Sequence, residues 1–243
     1  MRVLIERNAL DLTFRTLLSC QCPVTADEER GVFGLLSSMG TDEALDYALV
    51  LAQFKPNANT VFRRLADFAV WMAPSTSEEF TITTDHVIRH FASSYHWNQV
   101  VADGMTGAYK KVLSVPRWFL GHMLLPVRIT HVHTDGVTAV YEYVACEEAP
   151  FPMTGEVHQA IELKQLFAPD VYQVKVGETW AVHFAALLDR ITPEQAQLAR
   201  MLTESNPMLV QFRDDVDVID YKNFERHGDY SALCQKRYAT YFG

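Results

Sequence analysis

Two histidines two residues apart, His131 and His133, could chelate one metal ion if they lie on a strand. Alternate strand residues share a face, so both imidazoles would reach the same point. If Asp135-Gly136 is a two-residue hairpin turn, Glu142 falls diagonally near His131 and completes a set of two histidines and one carboxylate. The plainer reading is a pair of exposed strand histidines. Cys20 and Cys22 form a C-x-C pair with no second pair at zinc-ligand spacing, so reduced thiols are expected there. Asp214, Asp215, Asp217 and Asp220 gather acid without EF-hand spacing and read as a solvated edge. Arg89 and His90, adjacent on a helix, could grip a phosphate or a flavin. Ile88 and Phe91 beside them equally suit the apolar stripe of an amphipathic helix. No G-x-G-x-x-G, G-x-x-x-x-G-K-[ST] or G-x-S-x-G is present. Rossmann dinucleotide binding, P-loop nucleotide hydrolysis and α/β-hydrolase chemistry all lose support.

The elements that must position these groups are unevenly marked. Val3-Leu4-Ile5 reads as a short strand. Thr25 and Glu28 make a capping box ahead of Val32, Leu35, Leu36 and Met39, and Gly40 stops that helix. Leu45 to Phe54 is apolar enough for strand or helix. Asn57 or Asn59 can cap a helix carrying Val61, Phe62, Leu65, Phe68 and Ala69. Thr84 can cap a long helix running through Ile88, Phe91 and Tyr95. Val127 to Thr134 alternates like a strand and ends at Asp135-Gly136; Val137 to Glu148 is a return strand or a helix. Thr154 can cap a helix through Val157, Ile161, Leu163 and Leu166. Val171 to Val176 and Thr179 to Phe184 look like a hairpin about Gly177-Glu178. Thr192-Pro193-Glu194-Gln195 supplies the cap, the proline and the glutamine of a helix start. Residues 229–241 read as a last helix.

The chain has 243 residues, enough for one large domain or one domain with an appendage. Apolar residues make up 49% and charged residues 21%, the composition of a soluble globular protein. The formal net charge is -9, which lacks the footprint for non-specific nucleic-acid binding and suits anionic membranes poorly. No apolar stretch is long enough to span a bilayer, and the first residues turn charged before any signal-peptide core develops. A cytoplasmic protein without membrane or nucleic-acid partners is the expectation.

Several segments taken in order resemble the flavin-dependent thymidylate synthases, the ThyX family. They are Met1 to Ile5, Gly40 to Tyr47, Val115-Pro116-Arg117 with Gly121 to Pro126 and Thr130, Val157 to Lys164, and Ala168 to Tyr172. Together they span about residues 1–180. The resemblance implies an α+β fold, a ThyX-like twisted sheet with long helices over residues 1–186. A mostly helical C-terminal extension would follow at 187–243, and the assembly would be a homotetramer. It implies FAD between subunits and conversion of dUMP to dTMP, or a related nucleotide reaction, with methylenetetrahydrofolate as carbon donor and NADPH as reductant. It makes His158 a cofactor contact. The family's Arg-His-Arg signature falls on Ala66-Asp67-Phe68 without gaps, while a small deletion brings Arg63 and Arg64 there as cofactor-binding cations. Asp67 and Glu148 stand where the family places cations. A like charge about 4 Å from a phosphate costs about 4 kcal/mol at an effective dielectric near 20. The alternative implied is an inactive homologue that serves as a binding or assembly module, with residues 187–243 as its interaction element. The resemblance also implies strand 127–134 followed by a helix near 138–147, which would part Glu142 from His131.

Overall fold

A computed structural model describes residues 1–20, 24–56, 60–93, 95–96, 120–143, 159–169, 172–205, 216–224 and 228–243. The protein is α+β, and its chain forms two compact units, Met1–His90 and Phe91–Gly243.

The first unit is built on a three-stranded sheet. Strand β1 (Arg2–Glu6) lies between β2 (Ala44–Asp46), antiparallel to it, and β3 (Glu79–Ile82), parallel to it. Helices α1 (Arg7–Ser19), α2 (Ala26–Ser38), α3 (Tyr47–Leu51) and α4 (Val61–Met72) separate β1 from β3, and α5 (Thr84–Ala92) follows β3. Helix α1 has no side-chain cap at its start, yet nine of its residues are buried, from Ala9 to Ser19. Burying a side chain such as Phe14, which is fully enclosed, contributes about 1.5–3 kcal/mol. Thr13 and Thr16 satisfy their buried hydroxyls on the carbonyls of Ala9 and Leu12. The Thr25–Glu28 capping box opens α2 as its spacing predicts. The apolar run at 45–54 resolves into the end of β2 and the short helix α3, whose Tyr47 hydroxyl donates to the carbonyl of Phe62 at 2.7 Å. The cap of α4 is Thr60, which accepts from the Arg63 amide; Asn57 and Asn59 lie outside the described residues.

The second unit is built on a six-stranded sheet in the order β8-β7-β4-β5-β6-β9. Its strands are β4 (Leu125–Val132), β5 (Val137–Tyr143), β6 (Gln159–Leu166), β7 (Thr179–His183), β8 (Ala186–Arg190) and β9 (Val218–Asp220). Phe167, just past β6, bridges in parallel to Ala186. Its amide donates to the carbonyl of Ala185 at 2.6 Å, and its carbonyl accepts from the amide of Leu187 at 2.9 Å. That bridge joins β6 to β8, so β4, β5, β6, β8 and β7 close on themselves. The circuit is that of a five-stranded Greek-key barrel of the OB type, with β6 and β8 as its parallel pair. Closure leaves few unpaired edges. Buried Ala139, Tyr141 and Tyr143 alternate with half-buried Val140 and Glu142 along β5. The other helices of this unit are α6 (Pro193–Glu204), which packs on β4 and β7, and α7 (Tyr230–Phe242). The Thr192–Gln195 box caps α6, and Asp229 caps α7.

Three expectations fail here. The helix expected near 138–147 is strand β5 as far as Tyr143, because Val137 to Tyr143 pairs with strands on both sides. The helix expected through Ile161 and Leu166 is strand β6, where Ile161 and Leu163 are buried and Glu162 and Lys164 are half-exposed. Residues 172–178 do not pair with β7, which joins β4 and β8 instead. Residues 187–190 complete β8, and the remainder of 187–243 belongs to the same unit as the barrel.

Candidate functional site

The β4–β5 hairpin builds one wall of a concavity of the barrel unit. A register shift between Ile129 and His131 lets the strand bend before the turn. The amide of His133 then donates to the carbonyl of Gly136 at 2.8 Å. Gly136 presses against the end of β6: a Cβ there would sit 2.6 Å from the carbonyl oxygen of Leu166. Only glycine permits that approach. Gln165, beside it, holds φ 59°, and Gln173 on the opposite wall holds φ 47°. Left-handed backbone at a non-glycine residue costs about 1–2 kcal/mol. Such strain clusters at functional sites.

Between these segments lies a cleft of about 250 Å³. The turn contributes His133, Thr134 and Asp135; the segment after β6 contributes Phe167, Pro169 and Gln173; α7 contributes Gln235. Among the described residues no lysine or arginine lines it. Thr134, Asp135, Gln173 and Gln235 make no side-chain hydrogen bond among the described residues. His133 is held: its Nε2 lies 3.0 Å from the Thr138 hydroxyl. The His131 ring stacks beside it, centroids 6.1 Å apart and planes within 14°, with Nδ1 3.2 Å from the Thr130 hydroxyl. The two imidazoles therefore lie side by side, although His133 falls just past the end of β4. Glu142 is not with them; its carboxylate pairs with Arg128, further along the same hairpin from the turn. The turn exceeds two residues, so Glu142 falls beyond the diagonal. Among the described residues no group of three His, Cys, Asp or Glu side chains is arranged to hold a metal.

The residues marked by family resemblance lie elsewhere. Arg63 and Arg64 are successive residues of α4 in the first unit, and neighbours in a helix point about 100° apart. Arg63 donates through Nη2 to the Lys55 carbonyl at 3.1 Å. Arg64 lies near His90, whose pKa falls to about 3 because burial disfavours the charged ring and the guanidinium adds to the effect. His90 packs 5.2 Å from Phe68, so the structural reading of Arg89-His90-Phe91 holds for the histidine. His158 lies outside the described residues, as do Cys22, Cys146, Asp214 and Asp215. Asp220 caps the turn after β9, accepting from the amide of Lys222 and the side chain of Asn223.

A second set of imidazoles carries no sequence signal. His183 of β7 is buried, 6.1 Å from the His122 ring and 6.0 Å from Phe91. Burial holds its pKa well below the usual imidazole value, and nearby His122 pushes the same way. His96 is buried too, 4.8 Å from Phe91. Three separate stretches of chain meet here, and only tertiary structure reveals the grouping.

Comparison with protein-family models, with curated proteins and with solved structures finds no match to the chain. No helix among the described residues is long and apolar enough to cross a membrane.

Proposed function

We propose that the chain is a ligand-binding module, with the cleft beside the β4–β5 turn as its binding site. One observation carries this reading: polar side chains that make no side-chain hydrogen bond among the described residues gather where the backbone is strained. Thr134, Asp135, Gln173 and Gln235 line a cleft that Gly136 and Gln173 shape at a conformational cost. Among the described residues the cleft is lined by one carboxylate and no lysine or arginine, which favours a small neutral or cationic ligand rich in hydrogen-bond donors.

The rival reading is the one the ThyX resemblance implies: FAD-dependent methylation of dUMP by a homotetramer. It requires fixed cations for a phosphate and a pyrophosphate. Arg63 is committed to a main-chain carbonyl, and the segment from Gln159 to Lys164 runs as a strand where that reading asks for a helix. Purification separates the two. The expected protein is colourless and takes up neither FAD nor dUMP. A screen of small polar compounds by NMR should shift the amides of residues 133–136 and 173–174. A yellow protein with bound flavin, or one that binds dUMP once loaded with FAD, would establish the rival. A screen that moves none of those amides would remove the cleft.

A further inference from the structure

We propose that the β4–β5 hairpin carries a divalent transition-metal site with His131 and His133 as its protein ligands. The inference stands apart from what fills the cleft, because the metal alone tests it.

His131 near the end of β4 and His133 just past it bring the two imidazoles side by side, 6.1 Å between centroids and nearly parallel. Each ring has one nitrogen engaged by a threonine hydroxyl: Nδ1 of His131 by Thr130, and Nε2 of His133 by Thr138. Hydrogen bonds of this kind fix the ring and its tautomer in metal sites. They leave Nε2 of His131 and Nδ1 of His133 as the coordinating atoms. Neither nitrogen has another hydrogen-bond partner among the described residues. Both side chains are exposed, so rotating the rings onto a shared ion disturbs no core packing. The nearest strand cation, Arg128, is neutralised by Glu142. Imidazole pairs suit Zn²⁺, Ni²⁺ and Cu²⁺, bound at about 2.0–2.1 Å in the case of zinc. No third protein carboxylate, thiolate or imidazole joins the set among the described residues. Open coordination positions remain for water or a donor atom of a small ligand, and His133 also lines the cleft.

The test is a titration of the full chain with Zn²⁺, read by calorimetry and by the imidazole resonances of the nine histidines. One equivalent should bind saturably, with the His131 and His133 signals moving together. His131→Gln and His133→Gln should each weaken binding at least about tenfold, and the double variant should abolish it. Glu142→Gln should leave affinity unchanged. Because both histidines are exposed, circular dichroism should show every variant folded. Binding that survives in the double variant, or shifts confined to other histidines, would overturn the proposal. So would an affinity that depends on Glu142.

Discussion

Two groups of histidines in this chain meet opposite surroundings. His131 and His133 stand on an exposed hairpin, each with one nitrogen steadied by a threonine. His90, His96 and His183 are enclosed by aromatic rings, with Phe68 or Phe91 as neighbours. The same side chain serves as an available donor in one place and as an apolar plate in the other. Burial decides, because a charged imidazole inside the protein loses its hydration. A histidine's place in the sequence says little about its chemistry; the water around it says nearly everything.

The largest test of this contrast is acid. His90 has a folded pKa of about 3 against an ordinary 6.5. A group depressed in the folded state stabilises fully above its unfolded pKa, and that contribution is lost as pH falls from 6.5 towards 3. The loss from His90 alone reaches about 4–5 kcal/mol near the lower limit. His183 is lowered in the same direction and adds to it. Urea denaturation between neutral and acid pH should show the midpoint falling steeply, and His90→Phe should flatten the fall. A midpoint constant down to acid pH would break the contrast at its buried end.

Next comes the wall around the buried group. Phe91→Ala removes the ring between His96 and His183 and should cost about 3–5 kcal/mol in a thermal or urea melt. Water entering the cavity should also raise the His183 pKa, which an NMR titration would follow. A smaller effect is due at the hairpin. Gly136→Ala drives a methyl against the Leu166 carbonyl and should destabilise by about 1–3 kcal/mol, shifting amide signals on both walls of the cleft. The smallest effect sharpens the exposed end: His131→Gln should change stability by less than about 0.5 kcal/mol in the same melts. A larger loss would mean that His131 is structural after all.

Local chemistry made some of this legible from the sequence. The boxes Thr25–Glu28 and Thr192–Gln195 start helices where their spacing says, since each is satisfied within a single turn. Asp135-Gly136 marked the turn correctly. Helix α1 left no such mark: it has no side-chain cap, and its order comes from being surrounded. Strand β6 misled for the converse reason. Thr154, Val157, Ile161 and the following apolar residues fit a helical period over a short window. Pairing with β5 on one side and β9 on the other overrides that period. The cleft had no local signal, because its walls come from residues 132–137, 167–169, 173–174 and 235. Of the residues singled out in advance for chemistry, the histidine pair belongs to it or adjoins it, and Asp135-Gly136, Ala168 and Pro169 line it.

The bridge from Phe167 to Ala186 has a practical consequence for anyone dividing this chain into fragments. A fragment ending at 186 retains most of the segments that resemble a known family, yet it lacks nearly all of β8. The ends of β6 and β7 would then present bare amides and carbonyls, which are templates for intermolecular pairing and inclusion bodies. A fragment beginning at Phe91 keeps the ring of strands whole and is the one to express.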